Sequence, residues 1–136
     1  APECNYAKDR YTVGHALRFL DGYFYNFYLE AVDNFQSYQT YVVRSTDLIN
    51  WNLSPLNPVL QASSEDKKIA NPNISPSQRN NILMASNLNN SDIDFCEYNG
   101  KLIINYSWGD QLGVEFLAEA IFEGTLKEFL EGWFIY

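Results

Sequence analysis

The stretch Asn90-Ser91-Asp92-Ile93-Asp94-Phe95-Cys96-Glu97-Tyr98-Asn99-Gly100-Lys101-Leu102-Ile103-Ile104-Asn105-Tyr106-Ser107-Trp108 decides the fold. Asn-Gly between two apolar runs is a hairpin signal, because both residues tolerate the positive φ of a type I′ turn. The run before the turn opens with Asp92 and Asp94. Two residues apart on a strand, both carboxylates fall on one face, while Ile93 and Phe95 make the other apolar. Two carboxylates at the start of a strand are costly to bury, which makes the pattern informative.

The same pattern lies upstream. Residues 12–20 read as a strand, Asp21-Gly22 as a second hairpin turn, and 23–30 (YFYNFYLE) as the return strand. A polar loop, 33–39, leads to a third strand at 41–45, and TDLINW (46–51) is a short turn ending in Trp51. Gly22 and Gly100 stand 78 positions apart, and Tyr28 and Tyr106 share that offset. Residues 41–45 then parallel 116–120 within a strand at 114–122, and Trp51 pairs with Trp133, which follows a helical turn at 126–130. Self-similarity at a fixed period marks stacked units. An antiparallel unit of about four strands, closed by an aromatic residue, is a β-propeller blade. Three strands are clear in each half, and the fourth is expected around each Trp.

The fold class expected is therefore mainly β, about two antiparallel four-stranded blades of a five-bladed propeller, with one short helix in the connection between them. Residues 1–54 make the first blade, 55–89 the connection and 90–136 the second blade. Pro55, Pro58 and Pro72 mark the connection as surface chain, and Ser75-Pro76 starts its helix as cap and first turn. Two blades do not close a ring. The polypeptide is thus expected either to belong to a longer protein or to self-associate through its open blade edges.

With 136 residues, 46% hydrophobic and 16% aromatic, the sequence encodes one folded, strand-rich domain. A net charge of −8 argues against nucleic acid and anionic membrane surfaces as partners. No apolar run is long enough to span a bilayer, and the start carries neither Met nor a signal-peptide pattern, so localisation stays open. Cys4 and Cys96 are too few for a disulfide scaffold and read as buried thiols, with a single bridge between them as the alternative.

The run Arg44-Ser45-Thr46-Asp47-Leu48-Ile49-Asn50-Trp51 resembles the Arg-Ser-x-Asp-Leu-x-x-Trp signature of five-bladed propeller glycoside hydrolases, the family 43 arabinanases, xylosidases and their relatives. Ala1-Pro2-Glu3 is similar to the alanine-proline-acid motif near the start of one of their blades, and Asp92-Ile93-Asp94 resembles the segment that supplies an active-site aspartate. The resemblance covers nearly the whole sequence. It implies hydrolysis of an oligosaccharide with a pentose or fructose unit, by three carboxyl groups drawn from different blades: a base, an acid, and an aspartate that positions and tunes the acid. Asp94 matches the tuning aspartate. No counterpart of the first-blade base or of the proton donor is evident, so the protein is expected to lack the full catalytic set.

Glycosidic hydrolysis needs one carboxylic acid to protonate the leaving oxygen and one carboxylate to activate water or attack. Asp94, Asp92 and Glu3 are the candidate catalytic residues. The alternatives are that the two aspartates cap a turn and that Glu3 is a solvated terminal residue. Loops joining second and third strands share an end with the start of the first strand, so 33–39 and 108–115 should rim the pocket. Trp108 is placed to stack on a sugar, or else to be buried between blades; Gln111 and Glu115 are placed to bond hydroxyls. Trp51 and Trp133 are assigned to packing because they repeat, and His15 to a structural role. No cofactor is expected. Acidic oxygens suit Ca²⁺, but no metal-ligand spacing is present. Rival readings are a glycoside phosphorylase, which would need a cationic cluster that nine Lys and Arg do not form, and a non-catalytic carbohydrate-binding or structural propeller.

Overall fold

The computed structural model describes residues 12–34, 36–110 and 112–135. Glu3, Cys4 and Gln111 lie outside them. The described part is mainly β: β1 (Thr12–Leu20), β2 (Tyr23–Val32), β3 (Ser37–Ser45), β4 (Asn52–Leu53), β5 (Asn89–Tyr98), β6 (Lys101–Gly109) and β7 (Glu115–Phe122). Two helices, α1 (Pro76–Met84) and α2 (Leu126–Gly132), and a 3-10 turn at Ser64–Lys67 complete it. The strands form one open sheet in the order β1-β2-β3-β5-β6-β7, with β4 beside β3. Two antiparallel meanders, β1-β2-β3 and β5-β6-β7, meet through a single parallel pair, Tyr38 with Asn89.

Both hairpin turns have positive φ at both central residues: 48° and 83° at Asp21-Gly22, 50° and 75° at Asn99-Gly100. That is the type I′ geometry, whose twist matches the flanking strands. Each first strand also carries a register shift, between Val13 and His15 on β1 and between Ser91 and Asp94 on β5. These shifts stand at the same 78-residue offset as the turns, so the repeat includes its irregularity. Phe24 pairs with Ser45, and Leu102 pairs with Phe122. Residues 41–45 therefore correspond to 118–122, two positions beyond the 116–120 read from the sequence. A slip of two preserves the face, which is why the sequence pattern did not reveal it.

The meanders pack face to face. Ala16, Phe27 and Val42 form one cross-strand row of the first, and Phe95 and Ile104 belong to a row of the second. All five are buried in one cluster with Phe129 and Leu130 of α2 and with Phe134. The Phe129 ring stacks on Phe27 at 5.7 Å and meets Phe95 and Phe122 edge-on at 5.3 and 5.4 Å. The other face of the first meander is closed by Trp51 over Tyr28 and Val43. Phe129 follows Trp51 by 78 residues and closes the matching face of the second meander. It, rather than Trp133, is the counterpart of Trp51, while Trp133 packs edge-on against Phe129 at 5.8 Å. The fourth strand exists as the two residues of β4 after Trp51; around Trp133 the backbone is helix and turn. Cys96 is a free thiol but exposed, contrary to its expected burial. It pairs with Ile103 on the face of the second meander turned away from the first.

The resembling run Arg44–Trp51 is a folding device. The Asp47 carboxylate accepts from the backbone N–H of Ile49 and Asn50 at 2.9 and 2.7 Å and from the Asn50 side chain at 2.8 Å. Ser45 Oγ accepts from the N–H of Asp47 and Leu48, and Trp51 Nε1 donates to the Leu48 carbonyl at 3.1 Å. The Arg44 guanidinium lies over the rings of Tyr23 and Phe134, at 4.7 and 4.4 Å.

Candidate functional site

The register sets Asn89, Gly109 and Glu115 in one row, so the start of β5 and the β6–β7 loop share an end of the sheet. The Tyr38–Asn89 pair brings the β2–β3 turn to the same end. Gly109 is required there: a Cβ would stand 2.0 Å from the Val114 carbonyl oxygen. Asp110 ties the loop by accepting from the N–H of Leu112 and Val114 at 2.8 and 3.1 Å. Glu115 is exposed at this rim.

Asp92 and Asp94 stand just inside it. Asp92 occupies the register shift with φ of 53°. Its Oδ2 accepts from Ser107 Oγ at 2.9 Å and from Ser91 Oγ at 3.2 Å. Asp94 lies opposite Asn105, the residue before Ser107 on the same face of β6. Both carboxylates thus lie toward one row of β6 despite the shift.

Asp94 is ion-paired across the meanders. Arg18 Nη2, from β1, donates to Asp94 Oδ1 at 2.6 Å and to the Phe95 carbonyl at 2.8 Å. Arg18 Nη1 donates to the Leu17 carbonyl at 3.0 Å, and the guanidinium sits 4.5 Å above the Phe95 ring. Asp94 Oδ1 also accepts from the Phe95 N–H at 2.8 Å. Arg18 first, then this backbone bond, holds the Asp94 carboxyl below the usual carboxylate range. Its side chain remains 75% exposed. Sequence reading missed Arg18, whose only signal was a charge on a strand row that otherwise faces the core.

Trp108 is not part of this group. It is 1% exposed and stacked on Phe116 at 4.8 Å, on the opposite face of β6 from Asn105 and Ser107. This is the buried alternative rather than an open stacking surface. On that opposite face a cavity of about 710 Å³ lies between residues 65–82 and β6–β7, lined by Ile74, Ile82, Tyr106, Trp108 and Phe116. Asp66 closes one side. It is buried, and its carboxylate accepts from Tyr106 Oη at 2.7 Å, Asn87 Nδ2 at 2.7 Å and the Ser63 N–H at 2.8 Å. Burial, then the Asp66 carboxylate, pushes the Tyr106 hydroxyl far above the ordinary tyrosine value. Asp66 is satisfied by the fold, so the larger cavity and the open carboxylates are separate features. Among the described residues, no group of three or more His, Cys, Asp or Glu could hold a metal, and no helix is long and apolar enough to cross a membrane.

No family model matches the sequence, and no curated protein matches it. Two solved structures share its fold. One is described as "Glycoside hydrolase", at 13% identity and a TM-score of 0.58 over 85% of this protein and 28% of that one. The other is described as a complex of BT0996 and RGII, with 14% identity and a TM-score of 0.57 over 93% of this protein and 36% of that one. The polypeptide therefore spans about a third of the length of the solved structures it matches. At this identity the likeness concerns the fold.

Proposed function

We propose that this polypeptide is part of a propeller-type glycoside hydrolase of the family 43 kind, acting on an oligosaccharide, and that Asp94 and Asp92 face the sugar from the start of β5. The observation that carries the reading is the pair of open carboxylates on one face, just inside a rim built by the β2–β3 turn and the β6–β7 loop. The fold shared with a solved glycoside hydrolase and the resemblance of Arg44–Trp51 support it. An anionic Asp94 suits the role of orienting and tuning a neighbouring acid, since a nearby negative charge raises that acid's pKa. Glu3 and Gln111 remain assigned to the pocket by resemblance and by loop position, and Glu115 by its place on the rim.

The test is hydrolysis of a panel of nitrophenyl pentosides and hexosides by wild type and Asp94→Asn. Loss of about a hundredfold or more in kcat is expected for the variant. Unchanged turnover would remove Asp94 from the mechanism. A second reading, carbohydrate binding without hydrolysis, has one observation in its favour. The described carboxyl groups with displaced acidity, Asp47, Asp94 and Glu128, are all held low, whereas a proton donor must be held high. Glycan binding without release of nitrophenol would select it.

A further inference from the structure

We infer that Arg18 is the positioning residue for Asp94, leaving Oδ2 as the oxygen of that carboxylate that accepts from a sugar hydroxyl. The inference rests on the reading that the β5 rim binds sugar. Its geometry is independent of that reading. Oδ1 already takes two donors, Arg18 Nη2 and the Phe95 N–H, at 2.6 and 2.8 Å. A carboxylate oxygen has about two lone-pair sites, so Oδ1 is filled. Among the described residues Oδ2 has no partner, and the side chain is open to solvent.

The clamp is itself immobilised. The guanidinium is fixed by the Leu17 and Phe95 carbonyls and by the face of the Phe95 ring. Four contacts from one planar group fix its orientation, which a flexible ammonium could not match. Phe95 is buried in the cluster that joins the meanders, so the clamp's footing is core rather than loop. The ligand carboxylate comes from one meander and its clamp from the other, 76 residues away in sequence. The side chain facing Asp94 from β1 is Arg18, and from β6 it is the neutral Asn105; the nearest like charge is Asp92, on β5 itself.

The experiment follows the Asp94 carboxyl carbon by NMR through an acid titration of the ¹³C-labelled full-length polypeptide, in wild type, Arg18→Gln and Arg18→Lys. The Asp94 midpoint should rise in Arg18→Gln and rise less in Arg18→Lys, which keeps the charge but not the fork. On a nitrophenyl glycoside that wild type hydrolyses, KM should rise about tenfold or more in Arg18→Gln, with partial recovery in Arg18→Lys. A purely structural Arg18 would not move the midpoint, and an unmoved midpoint in a folded variant overturns the inference. Should Arg18→Gln fail to fold, the Arg18→Lys midpoint decides by the same criterion. A wild-type protein that hydrolyses none of the glycosides overturns the enzyme reading; the titration then still decides the role of Arg18.

Discussion

Asp47 shows how one side chain sets a local fold and its pH response. The Asn50 side chain first, then the N–H groups of Asn50 and Ile49, hold its carboxyl far below the ordinary value. A depressed carboxyl stabilises the fold fully above the unfolded value, and that stabilisation is lost as pH falls through the folded one. Acid should therefore begin to erode it below the ordinary aspartate value of 3.8, with no contribution to pH dependence near neutrality. Urea midpoints taken down the acid range should fall less steeply in Asp47→Asn than in wild type; parallel curves would show that the turn does not depend on this charge. The Arg44–Trp51 run was legible as a signature. Its work as a web of bonds around Asp47, with Arg44 between two rings, required the coordinates. Asp94 was legible as a candidate, but its partner was not, because nothing in local spacing ties residue 18 to residue 94.

At the scale of elements, strands and caps followed local chemistry. Gly100 has φ of 75°, and a Cβ there would meet nothing within 4 Å, so the cost of a side chain is backbone strain alone. Gly100→Ala should lower stability by about 1–2 kcal/mol in urea unfolding; an unchanged midpoint would mean that the turn had changed type. Helix α1 is a contrasting case. Ser75 accepts from the Gln78 N–H, and Gln78 returns the bond to the Ser75 N–H, but no residue of the helix is buried. Ser75→Ala should weaken α1 by about 1 kcal/mol, a large fraction for a short unpacked helix. Amide exchange in α1 should speed up while the global midpoint stays put. An equal fall in the global midpoint would show that α1 belongs to the cooperative core. The register shift on β5 was not legible, because Asp92 fits plain strand alternation as well as it fits a shifted register.

Across the whole molecule, one cluster joins both meanders through α2. Phe129 is 7% exposed and touches Phe27 of the first meander and Phe95 and Phe122 of the second. Phe129→Ala should cost about 3–5 kcal/mol, and exchange protection should fall together in β2 and β6. Loss confined to the second meander would show that the halves fold as separate units. The sheet ends at β1 on one side and β7 on the other, without closing. On β7, Leu117 and Ile121 are 77% and 53% exposed, on the face turned away from the first meander.

By itself the sequence determined the local elements: two type I′ hairpins from Asp-Gly and Asn-Gly, strands from apolar alternation, and helix starts from Ser75 and Thr125. Dihedral preference and capping act between near neighbours, so these features are written within a few residues. Tertiary structure alone decided the contacts that give those elements a function. It matched Trp51 with Phe129 rather than Trp133, buried Trp108, and joined Arg18 to Asp94. Strand alternation is unchanged by a slip of two residues, and it does not specify which sheet face meets which. Those choices are made only when the two meanders stack and the rings between them find their places.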